Sequence, residues 1–374
     1  MGQKESEILN SKSLPGRLPA GKAGQAGQAL NPKIYFLEAK KISPGNLASM
    51  FDAAGFKEVF KKDDLVAVKV HFGEPGNKAY LKPRNVKPLA EKLKSLGTKP
   101  FLTDANTLYK GKRSNSVDHI ETARSHGYDF LPVIIADGLN GKDFEKIAVP
   151  GKHFKEVNIA SAAVQADSML VMTHFKGHEL TGFGGAIKNL GMGLGSRSGK
   201  QQMHSDVKPQ VEEDKCTGCG LCVKWCPASA IGLKDKKASI DRDKCIGCAE
   251  CVVTCQSNAI EISWAGSPAS VQEKMAEYAL GAVNGKRCAY FSFAVDISPN
   301  CDCYGFNDPP IVGDIGVLAG SDPVAMDQAC IDLAKEAAGT DIIKKTWPLV
   351  DHDIQLEHAE RIGLGLRKYE IIRL

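Results

Sequence analysis

Several absences bound what this chain can be. No run of about 18 consecutive apolar residues interrupts its 374 residues, which excludes a membrane-spanning helix and sets the expectation of no membrane partner. No charge of one sign dominates. The 48 Lys and Arg against 44 Asp and Glu leave +4, too small a surplus to argue for nucleic acid. A G-x-G-x-x-G run behind a strand with a spaced acid is missing, and so is a Walker A run, so nothing points to bound flavin, nicotinamide or nucleoside triphosphate. A secretory leader and a twin-arginine motif are missing too, and the expected location is the cytoplasm. Long polar tracts are confined to the beginning. Residues 1–31, with their prolines, serines and Gly/Ala/Gln stretch, carry too little apolar patterning to offset the entropy of ordering and read as a disordered tail.

Cysteine, by contrast, is abundant. Eight of the 12 cysteines fall between Cys216 and Cys255, and the others are Cys288, Cys301, Cys303 and Cys330. A disulfide framework would be spread along a short secreted chain, whereas clustering in a long chain favours metal binding in a reducing compartment.

From Pro32 the pattern alternates between strand and helix. Strands are expected at 33–38, 64–71, 100–103, 132–136 and 168–173, and helices at 44–54, 83–96 and 117–125. The alternation resumes after Ser267, with helices at 271–283, 323–337 and 355–362 and strands at 287–295, 311–318 and 369–372. The fold class this implies is an α/β host domain with a mainly parallel sheet. It would comprise 32–207 and 265–374, interrupted at 208–264 by a small α+β module.

The interrupting segment is a twofold repeat. Cys216, Cys219, Cys222 and Cys226, followed by Pro227, have the bacterial ferredoxin spacing, and it returns at Cys245, Cys248, Cys251 and Cys255. The 29-residue offset also repeats Gly218 as Gly247 and Ile231 as Ile260. Three thiolates two residues apart wrap one face of a cubane, and the fourth reaches the other cluster. The spacing predicts two [4Fe–4S] clusters, one on Cys216, Cys219, Cys222 and Cys255, the other on Cys245, Cys248, Cys251 and Cys226. Zinc knuckles are the competing reading, but structural zinc usually joins two separated cysteine pairs. Eight basic and eight acidic residues in the segment give little long-range steering of a charged partner.

A second constellation surrounds residues 177–199, which hold eight glycines directly behind the strand at 168–173. Open α/β sheets bind ligands at such carboxyl strand ends. Gly184 and Gly185 would offer backbone amides as an anion nest. His174, Lys176, His178, Lys188 and His204 stand around them. The strand ending at Lys69 and His71 adds two residues of one face, with Glu74 just beyond to orient a histidine. The expected ligand is a small anionic molecule held by Lys69, Glu74, His174, Lys176, Gly184, Gly185, Lys188 and His204. His71 and His178 are the expected acid–base catalysts, since histidine titrates near neutrality. Cys301-Asp302-Cys303 with Asp308 and Asp314 is a further candidate site. The stripe of Val324, Met326, Ala329 and Leu333 reads as core.

The segments KVHFGE (69–74), THFKGHELTGFGGAIKNLGMG (173–193) and CDCYGFNDPPIVGDIG through SDPVAMDQA (301–329) with the ferredoxin-like insert resemble the uncharacterised Fe–S centre proteins that carry domain of unknown function 362. The resemblance runs from Lys33 to Leu374 and implies clusters without naming a reaction. His178, Gly182 to Gly185 and Lys188 are also similar to a stretch of the nickel-pincer lactate racemases, where the lysine tethers a nicotinate-derived cofactor. That likeness implies Lys188 and His178 as site residues.

The expected function is transfer of electrons through the clusters to the small anion, making the chain an iron–sulfur oxidoreductase. An external protein such as a reduced ferredoxin would be the electron donor. Two alternatives stand beside it: an electron carrier or docking protein without its own substrate, and a non-redox lyase or racemase with structural clusters.

Overall fold

The computed structural model describes residues 31–204, 209–226, 228–245, 250–261 and 267–374. The expected tail, Pro227 and the expected ligand Cys248 lie outside the described residues.

Ser168–His174 (SMLVMTH) is buried at every position, the pattern of a strand covered on both faces. It is a middle strand of an eight-stranded sheet. In chain order the strands are β1 (Lys33–Glu38), β2 (Leu65–Val70), β3 (Lys99–Asp104), β4 (Val133–Ile135), β5 (Ser168–His174), β6 (Arg287–Ala294), β7 (Gly316–Gly320) and β8 (Glu370–Arg373). Across the sheet they run β8-β1-β7-β6-β5-β2-β3-β4. Only β7 is antiparallel to its neighbours, β1 and β6, so the fold is a mixed, mainly parallel α/β sheet.

Helices cover both faces. Val66, Val68 and Val70 of β2 pack with Leu47 and Phe51 of α1 (Pro44–Ala53), Leu89 and Leu93 of α2 (Pro83–Ser95) and Ala123 of α3 (Ser116–Ser125). Ala67 faces the other way. That face packs on α4 (Ala186–Leu194), α6 (Pro268–Val283), α7 (Pro323–Ala338) and α8 (Asp353–Arg361), with α5 (Arg197–His204) beside them. Each fully buried large aliphatic side chain stabilises this arrangement by roughly 1.5–3 kcal/mol. The starts are set by local chemistry. Ser43 and Asn115 cap α1 and α3, Ser267 caps α6, and Pro44, Pro83 and Pro268 occupy the first helical position.

Two expectations need correction here. The strand expected at 132–136 is only three residues long: β4 is the sheet edge, and Ile134 is 42% exposed. The glycine-rich stretch is not an open loop throughout, because 186–194 is helical. Glycine disfavours a helix by about 1 kcal/mol, but packing decides here. A Cβ at Gly191 would overlap the Met275 carbonyl oxygen on α6. The glycine lets two helices approach backbone to backbone. Gly191→Ala is therefore expected to destabilise the protein by about 1–3 kcal/mol despite alanine's better helix propensity. A urea denaturation curve with an unchanged or raised midpoint would show that α4 has room to move.

The described parts of 208–264 contain a hairpin of Ile231–Lys234 and Lys237–Ile240, a two-stranded pairing of Gln210–Val211 with Ile260–Glu261, and short helices at Leu221–Trp225 and Glu250–Thr254. Asp235 and Lys236 turn the hairpin with φ of 50° and 63°. Cys222, Ile231, Cys251, Val252, Cys255 and Ile260 share a small apolar cluster with Leu108, from the stretch just beyond β3. The segment touches the host through Leu108, and among the described residues no distinct ferredoxin-like module is identified. Among the described residues no helix is long and apolar enough to cross a membrane.

Candidate active site

The chain leaves β2 outward to β3 and β4, then returns to place β5 on the other side of β2. At such a reversal the connections diverge and leave a crevice at the carboxyl strand ends. A cavity of about 540 Å³ lies there. Behind β2 it receives His71, from the end of β3 Asp104, and from beyond β5 Lys176 and His178, while α4 supplies Lys188 and Asn189. Gly185 and His204 also line it. Six of the ten residues expected in the site, His71, Lys176, His178, Gly185, Lys188 and His204, thus share one cavity.

The other four do not line it. Lys69 is fully buried beneath the cavity, 3.1 Å from Asp104 and 2.7 Å from the Asn189 amide oxygen. Lys69 and His71 share a face as their spacing requires, but at different depths. Glu74 accepts from Arg113 at 2.8 Å and from the Tyr109 hydroxyl at 3.1 Å. Arg113 in turn stands 3.0 Å from His71 Nε2, so Glu74 reaches the histidine only through the arginine. His174 places Nδ1 on Asp302 at 2.9 Å and Nε2 on the Val295 carbonyl oxygen at 2.9 Å, and it borders a separate cavity of about 340 Å³. Gly184 serves by being small: a Cβ there would press on Lys188 and Lys176 at 3.2 and 3.4 Å.

The amides just beyond Gly184 and Gly185, the pair expected to form an anion nest, are occupied from within. The amides of Ala186 and Ile187, which open α4, donate to the Asp327 carboxylate at 2.6 and 3.0 Å. Asp327 is fully buried, and burial pushes its carboxyl up to about 7 against those two amides.

Burial also sets the state of the cavity's bases. It pulls His71 and His178 well below the usual histidine value, helped by Arg113 and Lys188 respectively, so both rings are neutral at pH 7. His178 Nδ1 accepts from the amides of Leu180 and Thr181 at 3.1 and 3.3 Å, which leaves the ring proton on Nε2. His204 is lowered to about 3 by burial and Lys188. Burial, reinforced by Lys176, brings Lys188 down to about 8. Lys200 is likewise lowered to about 8, chiefly by burial, and donates to the Gly195 carbonyl oxygen at 2.6 Å. Burial works to raise Asp104 and Asp302, but Lys69 with Arg113 beside the one, His174 and Lys176 beside the other, hold both well below the carboxylate range.

Arg113, Lys176, Lys188 and Lys200 therefore give the cavity a cationic lining, met by Asp104 and Glu179. Lys176 is paired with Asp302 at 3.1 Å and Arg113 with Glu74, whereas Lys188 has no ion pair among the described residues. Sequence reasoning did not single out Asp104, Tyr109, Arg113 or Asn189 for their roles here. Asp104 ends a strand beside two others that were recognised, and that position was the one available signal.

The model of the family described as domain of unknown function DUF362 matches residues 66–332, more than half of the chain. The chain belongs to the DUF362 family. No curated protein matches it. Among solved structures, this DUF362 chain is similar to a protein from Thermotoga maritima at 9% identity and TM-score 0.44, covering 82% of this chain and 61% of that one. It is also similar to the lactate racemase apoprotein from Thermoanaerobacterium thermosaccharolyticum at 12% identity and TM-score 0.36, covering 74% and 55%. The chain thus spans less than two thirds of either.

The expectation of two [4Fe–4S] clusters in this DUF362 chain is overturned. Among the described residues no group of three or more His, Cys, Asp or Glu is placed to hold a metal ion. Cys216, Cys219, Cys222 and Cys255 border one small cavity but are not placed there as a metal-holding group. Backbone amides approach several of the sulfurs: those of Ala238, Ala230 and Ala259 donate to Cys216, Cys226 and Cys255 at 3.4, 3.2 and 3.2 Å. Burial pushes the Cys222 thiol up, toward the protonated form. Of the second expected set, Cys245 and Cys251 are in no disulfide.

Proposed function

We propose that this chain is a non-redox enzyme of the lyase or racemase class, moving a proton at a carbon of a small anionic substrate. The observation that carries the reading is Lys188, an amine lowered to about 8 that faces a cationic cavity shared with two neutral imidazoles. A lysine in that range is a competent base near neutrality. Its neutral form abstracts a proton from the carbon next to a carboxylate. The Nε2–H of His178 donates to the oxygen that gains charge, a role suited to a neutral imidazole. Arg113 and Lys176, each held by a carboxylate behind it, bind the anion without having to be positioned anew. Lys69 and Asp104 form the floor, and Glu74 fixes Arg113. In this reading 32–207 and 265–374 are the host, and 208–264 is an insert that borders the cavity through Leu108.

The test is a panel of small carboxylic acids, 2-hydroxy acids among them, incubated with the protein in D₂O and followed by proton NMR. Loss of the α-proton signal from at least one acid, dependent on protein, is expected. No exchange with any acid, together with no binding of any to the protein, would remove the reading.

A further inference from the structure

Cys301 and Cys303 form a disulfide, and both residues line the cavity. We propose that this pair is a redox-active disulfide, opened by a dithiol reductant that attacks Cys303 and expels the Cys301 thiolate toward Lys188.

The loop is built for such a role. Asp302, between the two cysteines, is fully buried and clamped by His174 at 2.9 Å and Lys176 at 3.1 Å. The anchor holds the middle residue on one side while its two neighbours present sulfur to the cavity. Tyr109 adds a second tie, its hydroxyl lying 3.1 Å from both the Cys303 carbonyl oxygen and Glu74 and sharing its one proton between them.

The two sulfurs are not equivalent. Cys301 is 2% exposed, whereas Cys303 is half-buried and accessible from the cavity. An incoming thiolate therefore meets Cys303 first. The leaving sulfur, Cys301, has Lys188 Nζ at 3.3 Å and accepts from the Cys303 amide at 3.5 Å. A cation beside a departing thiolate lowers its basicity and speeds its departure. Lys188 has no ion pair among the described residues to compete for this role.

The step balances as thiol–disulfide exchange. One thiolate of the reductant forms a bond to Cys303 Sγ as the Cys301–Cys303 bond breaks and its electron pair passes to Cys301. The reductant's second thiolate then attacks its own sulfur in the mixed disulfide and expels Cys303. The reductant leaves as a cyclic disulfide, and the protein gains two electrons and two protons. Oxidation by a disulfide of the same class reverses the sequence.

The readout is the state of two sulfurs, so it can fail while the proton-transfer reading stands, and the reverse. The full chain, isolated in air, is denatured with iodoacetamide and digested, and the peptide holding both cysteines is weighed. A linked peptide is expected, converting to the doubly alkylated form after native treatment with dithiothreitol. Lys188→Gln is expected to slow that conversion about fivefold or more, from a thiolate pKa change of roughly 1–3 units and the dependence of exchange on leaving-group basicity. Lys188→Arg, which keeps the charge, is expected to restore much of the rate. In the unmutated protein, partial reaction with glutathione is expected to leave the adduct on Cys303. A pair alkylated without any reductant, an adduct on Cys301, or equal rates for folded Lys188→Gln and the parent would each overturn the proposal.

Discussion

Between pH 7 and pH 9 the rate of substrate proton exchange is expected to rise about tenfold and to level off, with its midpoint near 8. The value is that of Lys188, which burial and Lys176 bring to about 8. A base works in its neutral form, and an amine titrating at 8 is about one-tenth neutral at pH 7 and nine-tenths at pH 9. Lys188→Met removes the amine while keeping most of its length. It is expected to abolish the rise and to lower the plateau by about 10²–10⁴-fold, the usual yield of positioned proton transfer. Lys200 titrates in the same range, but its amine donates to the Gly195 carbonyl oxygen. Lys200→Met should thus keep the midpoint. If it is Lys200→Met that loses the pH dependence, the base is Lys200 and not Lys188. His71 and His178 add no inflection between pH 6 and 9, because burial holds both well below the ordinary histidine value.

The second large effect concerns stability. Lys69 and Asp104 are both buried, 3.1 Å apart, at the meeting of β2 and β3. Removing one partner strands the other charge away from water, at a cost of about 3–5 kcal/mol. Lys69→Met and Asp104→Asn are each expected to lose stability in that range by urea denaturation. Asp104→Asn should cost the more, because Arg113 at 3.8 Å also loses a neighbour. The double variant Lys69→Met, Asp104→Leu replaces the pair by apolar groups. It is expected to recover most of the loss, since a buried ion pair often adds little over a well-packed hydrophobic substitute. Additive losses in the double variant would show instead that each residue is held mainly by other partners.

The sheet was legible because its strands carry their signals locally. The valines of β2 and the apolar run of β5 announce strands by composition alone, and Pro83 and Gly97 bracket α2. His71, Lys176, His178 and Lys188 were legible as residues of the candidate cavity because they follow strand ends or stand in the glycine stretch behind one. The helix at 186–194 was not, since its cause is a contact with Met275 far along the chain. Nor was the capping of α4 by Asp327, which sits in a helix that reads as plain core. Arg113 and Tyr109 belong to no motif. Their roles depend on where the chain beyond β3 returns, which spacing does not encode. The cysteine repeat is the converse case, a strong local signal whose expected donor sets are not assembled among the described residues.

The position of β1 carries a consequence for how the chain comes to be folded. Its two partners are β7 and β8, and Glu38 lies opposite Gly316, about 280 residues later. Among the described residues no earlier strand pairs with it. At about 5–20 residues per second of synthesis, Ile34, Phe36 and Leu37 wait tens of seconds on the ribosome before their neighbours exist. During that interval a short apolar strand with two unpaired edges is open to wrong pairing. β2 to β5 pair with one another and can assemble in the meantime, with only the outer edge of β5 waiting for β6. The last strands to be made thus recruit the first, and yield of soluble protein should respond to chaperone capacity more than to the speed of the central strands.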